Sequence, residues 1–118
     1  NFNNLVEAQL KARQNFIIPL WHPQYLHHMF DIFPLEEPKG LLRGKDLATP
    51  ILLKQAATFF SENDLDILSS IRIGNDAVSY IEYSFYKYKL SAKEAAKRWI
   101  QQNYGSVESY ICMLEGNV

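Results

Sequence analysis

The chain has 118 residues, 47% apolar and 21% charged, with a formal net charge of −1 at pH 7. These values describe one ordinary globular domain with a real core and exclude a disordered chain. The near-zero charge argues against a nucleic-acid or anionic-membrane surface, no apolar run reaches the length of a bilayer span, and the single cysteine, Cys112, allows no internal disulfide.

Residues 3–14 read as a helix, with Leu5, Ala8 and Ala12 at helical spacing among Glu7, Lys11 and Arg13. The start at Asn1 without Met falls at the edge of that helix. It points to a processed chain or a piece of a longer one, so the missing targeting segment carries no weight. Asn15 ends the helix, and Phe16 to Trp21 is a β-rich run in which Pro19 argues for an edge position. It reads as a buried strand whose end presents an indole, an imidazole, an amide and a phenol together, on Trp21, His22, Gln24 and Tyr25. An indole at a strand end keeps a large π-face free for a ligand, and quaternary ammonium groups are well suited to aromatic cages. Gln24 to Phe30 reads as a short helix or turn, Asp31 to Leu35 as a second short extended segment, and Glu36 to Gly40 as turn chemistry.

Beyond Gly44 the pattern is helical throughout. Thr49 and Pro50 predict a helix start, with Leu52, Leu53, Ala56, Phe59 and Phe60 as its apolar face. Ser61 and Asp64 open the next helix, which carries Leu65, Leu68 and Ile71. Gly74 stops it, and Asn75 is expected to cap a helix bearing the stripe Val78, Ile81, Phe85 and Tyr88. Ser91 and Glu94 form a capping box ahead of Ala95, Ala96, Trp99 and Ile100. Gly105 and Ser106 precede a last helix containing Val107, Tyr110 and Ile111. Two short strands beside about five helices do not make a self-sufficient sheet. The chain is therefore expected to be part of a larger α/β protein, its strands completed from elsewhere in a longer chain or by a second copy in a homodimer.

Catalytic signatures are sparse. His22, His27 and His28 lie close together and Asp31 follows His27 by four residues, which makes a metal-dependent enzyme on His22, His27 and Asp31 one rival reading. No second ligand motif supports it. There is no Gly-x-Ser-x-Gly and no His-Glu-x-x-His, and the Gly40 to Lys45 segment lacks the spacing and the Ser/Thr of a phosphate loop. The chain is expected not to be an enzyme, with no catalytic residue, metal or cofactor. Glu82, Lys87, Lys89, Lys93, Glu94, Lys97 and Arg98 read as solvated helix faces. Tyr80, Tyr83, Tyr86 and Tyr88 make the helix at 75–88 aromatic on more than one side, so a second rival is a helical protein-interaction module using that face.

Three motifs in order carry a resemblance. Trp21-His22-Pro23-Gln24-Tyr25 follows an extended run, Asp31-Ile32-Phe33-Pro34-Leu35-Glu36-Glu37-Pro38-Lys39-Gly40 comes next, and Ala95-Ala96-Lys97-Arg98-Trp99-Ile100-Gln101-Gln102-Asn103 closes the series. The arrangement resembles the C-terminal part of the substrate-binding proteins of glycine betaine/proline betaine ABC transporters, over about residues 3–112. That family shows Trp-x-Pro-His-Trp after a strand, an Asp-Leu followed by Leu-x-Asp-Pro-Lys, and a closing helix with Ala-Ala-x-x-Trp-Ile-x-x-Asn.

The resemblance implies an α/β fold: a partial or single lobe of a type II periplasmic binding protein, with few short strands and a helical C-terminal half. Residues 1–118 would be the C-terminal portion of the binding domain, with helix, strand and Trp motif to about 44 and a helical region over 46–114. It further implies an extracytoplasmic or periplasmic receptor, membrane-associated through its transporter, that closes by a hinge on a small ligand and delivers it to a membrane permease. The ligand would be a quaternary ammonium osmolyte (glycine betaine first, with proline betaine or choline as alternatives) caged by aromatic rings, with its carboxylate on backbone amides and a polar side chain. By position Trp21 matches the cage tryptophan, Gln24 stands where the family has His, and Tyr25 stands where it has the second Trp. Trp21, His22, Gln24 and Tyr25 are thus the expected ligand-binding residues. Gln24 cannot carry charge, so a ligand without a carboxylate, such as choline, becomes compatible.

Overall fold

The structure, a computed structural model, describes residues 2–42 and 44–116; Arg43, in the segment read above for phosphate-loop chemistry, lies outside them. The regular elements are helical: α1 (Phe2–Lys11), α2 (Leu26–Met29), a 3₁₀ turn (Ala56–Phe59), α3 (Glu62–Ser70), α4 (Asn75–Tyr88), α5 (Ala92–Tyr104) and α6 (Val107–Glu115). Among the described residues there is no strand, which corrects the expected α/β class and its few short strands. The reason lies in what alternation encodes. Phe16, Ile18 and Leu20 pack toward the core while Ile17 is 81% exposed, so the run keeps a strand's two faces. A strand also needs a neighbouring backbone for its ladder, and none forms here. The second expected strand leaves Phe33 and Leu35 exposed and is likewise unpaired extended chain.

The chain divides into two compact units, Asn1–Ile32 with Ile73–Asn103 and Phe33–Arg72 with Tyr104–Val118. In the first unit, Val6, Tyr25 and Leu26 are buried, and Leu10, Phe16, Ile18, Leu20, Met29, Phe30, Ile32 and Tyr83 pack around them. On α1 the inward face runs through Val6 and Leu10, one turn apart, whereas Leu5 of the expected repeat is exposed. The helix ends at Lys11, earlier than the sequence pattern predicts, and Arg13 follows in the left-handed region at φ 53°.

Helix α4 begins after Gly74, whose φ of 79° suits glycine, so Asn75 lies within the helix and is not its cap. Its apolar stripe is not the buried face: Val78, Phe85 and Tyr88 are exposed and Ile81 is only half-buried, while Ser79 and Ser84 are buried. Small serines let α4 close on α2, and the Ser79 hydroxyl accepts a hydrogen bond from the Gln24 amide. Helix α5 is held by its capping box, in which the Ser91 Oγ accepts from the Glu94 amide at 3.3 Å and the Glu94 carboxylate accepts from the Ser91 amide at 2.8 Å.

In the second unit, the helix predicted from Pro50 to Phe60 shrinks to the single 3₁₀ turn. Ile51 is 94% exposed and Leu53 78%, so the apolar face finds no cover, and a short helix without tertiary packing is marginal in water. Helix α3 does form, behind the Ser61–Asp64 capping box, and it packs on α6. Ser106 caps α6, whose Tyr110 and Leu114 are buried.

Candidate functional site

The loop between the extended run and α2 is fixed from behind by side chains distant in sequence. The Gln24 amide donates to Ser79 Oγ at 3.2 Å, and the Tyr25 amide donates to Glu82 Oε2 at 2.6 Å, both on α4. The Gln24 side chain is buried, its Nε2 donating to Asn3 Oδ1 of α1 at 3.1 Å while its Oε1 has no hydrogen-bond partner. Tyr25 is buried too. Its hydroxyl donates to Glu7 Oε1 at 2.8 Å, and its ring stacks on Tyr86 with centroids 4.5 Å apart. These contacts tie α1, the loop and α4 into one junction.

Glu7 is the hub of that junction. Only 6% exposed, its carboxylate takes hydrogen bonds from Lys11 and Tyr25, with the Tyr86 phenol nearby. The bond from Lys11, foremost, holds the Glu7 carboxyl below its ordinary range, with burial opposing and the two phenols adding. Burial, reinforced by the bond to Glu7, pushes the Tyr25 phenol well above its ordinary value. A carboxyl depressed on folding contributes stability that is complete above its unfolded value, near pH 4.5, and is lost as pH falls through the lower folded value. Unfolding midpoints in urea should therefore decline below about pH 4.5, and Glu7→Gln should flatten that decline. The same acid slope in both proteins would exclude Glu7 as a contributor.

Trp21 stands in front of this junction, 64% exposed. Its ring lies 6.5 Å from that of Phe2 at an interplanar angle of 16°, a stacked pair. The Trp21 carbonyl sits 3.0 Å from His27 Nε2 and can only accept, so the Nε2–H of His27 donates to it. His22 stacks on His27 with centroids 4.1 Å apart, and its Nε2 lies 3.9 Å from Asp76 Oδ1. His28 turns the other way, onto the rings of Tyr80 and Tyr83. Among the described residues no three His, Cys, Asp or Glu side chains converge as a metal site. A cleft of about 570 Å³ in the same unit is bordered by His28, Asp76, Tyr80 and Trp99, and Trp21 does not line it.

The four expected residues thus occupy one loop but different environments: Trp21 outermost, His22 beside it, Gln24 and Tyr25 within. Sequence reasoning missed Phe2, Glu7, Ser79 and Glu82. Only Glu7 carried a local signal, the Lys11 one helical turn later.

Residues 2–102 match the family described as the substrate binding domain of ABC-type glycine betaine transport system, and the chain belongs to that family. No curated protein and no solved structure matches it. The family consists of extracytoplasmic, non-enzymatic proteins that bind a small molecule and work with an ABC permease. Among the described residues no helix is long and apolar enough to cross a membrane.

Proposed function

We propose that this chain captures a quaternary ammonium osmolyte for its permease, with Trp21 as the ring that meets the methylated nitrogen. The exposed, nearly parallel rings of Trp21 and Phe2 support this reading most directly. A cation within about 6 Å of a ring centroid is attracted by the π-face, and two rings at one place enlarge the target. Gln24 and Tyr25 act from behind, holding the loop so that little ordering is left for the ligand to impose. His22, next in the chain and stacked on His27, is the adjacent polar residue of the loop.

The state of Gln24 favours a ligand recognised by its ammonium end. One Nε2–H is given to Asn3, and the whole side chain is buried, so its second N–H is not presented at the surface where a carboxylate would arrive. Choline fits that pattern better than glycine betaine or proline betaine does. A single exposed cation–π contact is worth only about 0.5–1 kcal/mol, so the 118-residue chain should bind with millimolar affinity or weaker.

Titration of Trp99→Phe protein, in which Trp21 is the sole indole, with choline, glycine betaine and tetramethylammonium tests the assignment. The expected result is saturable perturbation of Trp21 emission, strongest for choline, and a Kd raised about fivefold when Trp21 is changed to Ala and binding is followed by calorimetry. Equal affinity of the Trp21→Ala protein, or tight binding by the chain alone, would refute it.

A further inference from the structure

The net charge of −1 conceals a segregation. Between Lys87 and Arg98 stand Lys87, Lys89, Lys93, Lys97 and Arg98, against one acid, Glu94. Glu94 spends its carboxylate on the amide and hydroxyl of Ser91 at the start of α5. Three of the five cations lie over tyrosine rings: Lys87 Nζ is 5.5 Å from the Tyr83 centroid, Lys89 Nζ 5.0 Å from Tyr86, and Arg98 Cζ 4.6 Å from Tyr88. Phe85 and Tyr88, on the same helix, are themselves about half exposed, and Tyr88 lies under Arg98. Lys89 takes the left-handed conformation that ends α4, and Lys93 and Lys97, one turn apart on α5, are both exposed. The α4–α5 corner is therefore a cationic surface with aromatic bodies set into it, on a chain that is otherwise net acidic.

We propose that this corner docks on an anionic phospholipid bilayer. The charge is complementary to a negatively charged leaflet, which attracts near-surface lysines. Four of the five bases are lysines, compact point charges suited to a diffuse field of headgroups, whereas paired recognition of carboxylates on a protein favours arginine's planar fork. The half-exposed rings of Phe85 and Tyr88 on α4, together with the long stems of the exposed lysines, match the headgroup–acyl boundary, where aromatic rings settle and charged tips reach water. The inference is independent of Trp21 and adds a second, direct attachment to the membrane in which the permease sits.

Sedimentation of the full chain with phosphatidylcholine vesicles, and with vesicles containing equal parts of phosphatidylglycerol, tests it. Binding is expected to the anionic vesicles alone and to vanish at roughly 0.5 M salt, where screening is nearly complete within a few ångströms. Each near-surface lysine is worth about fivefold, so Lys93→Glu with Lys97→Glu should cut partitioning at least about 25-fold while far-UV circular dichroism stays unchanged. Phe85→Ala should also weaken it, since a purely ionic contact would ignore that ring. Trp21→Ala should leave partitioning as it was. No pelleting with anionic vesicles, equal pelleting with neutral ones, indifference to the double lysine reversal, or preferential binding to polyglutamate would overturn the proposal; the last would make the corner a dock for an acidic protein instead.

Discussion

Leu26→Ala should cost about 3 kcal/mol of unfolding free energy, measured by urea denaturation. Leu26 has no exposed surface and lies in the small cluster with Val6 and Tyr25 that anchors the first unit. Truncation removes the transfer energy of the lost carbons and leaves a cavity whose walls belong to α1, the extended run and α4, elements that cannot all relax inward together. Against a total of about 5–15 kcal/mol for a domain of this kind, that is a large share. Ile17→Ala is the control: 81% exposed, it should change stability by less than about 0.5 kcal/mol. A similar small loss at Leu26 would mean that the cluster does not hold the unit together.

Glu7→Leu should be nearly as damaging, at about 2–3 kcal/mol, through a different mechanism. The leucine fills space but leaves the buried Tyr25 hydroxyl without an acceptor, and a buried donor left unsatisfied costs its full desolvation. Little of the loss comes from the ion pair itself, because the Lys11 side chain is 63% exposed and surface pairs contribute little. Adding Tyr25→Phe to Glu7→Leu should recover a good part of the deficit, since removing both partners of a hydrogen bond is far cheaper than removing one. Strictly additive losses in that double-mutant cycle would show that the two side chains are not coupled.

What the sequence disclosed was mostly local. The Ser61–Asp64 and Ser91–Glu94 pairs each predicted a helix start within the span of one turn, and both caps form as expected. The family was legible too, because its motifs are short and ordered along the chain. Non-local consequences were not legible. Alternation in Phe16 to Leu20 reports that one side is buried, and says nothing about whether another backbone arrives to pair with it. The stripe on α4 gave the helix correctly but the wrong inward face, because two serines that accept close approach outrank larger apolar residues when a helix must seat against a hydrogen-bonded loop. The helix expected after Pro50 had the right periodicity and no surface to lie on. At the candidate site, Trp21 was readable from its motif, while the partners that orient its loop sit 55 and 57 residues further on and leave no mark near it.

That separation has a consequence for how the site comes into being. The ribosome releases Trp21 well before Ser79 and Glu82, the two side chains that clasp the loop's backbone. Vectorial synthesis thus leaves the indole on a nascent chain whose loop has nothing to steady it until most of α4 has emerged.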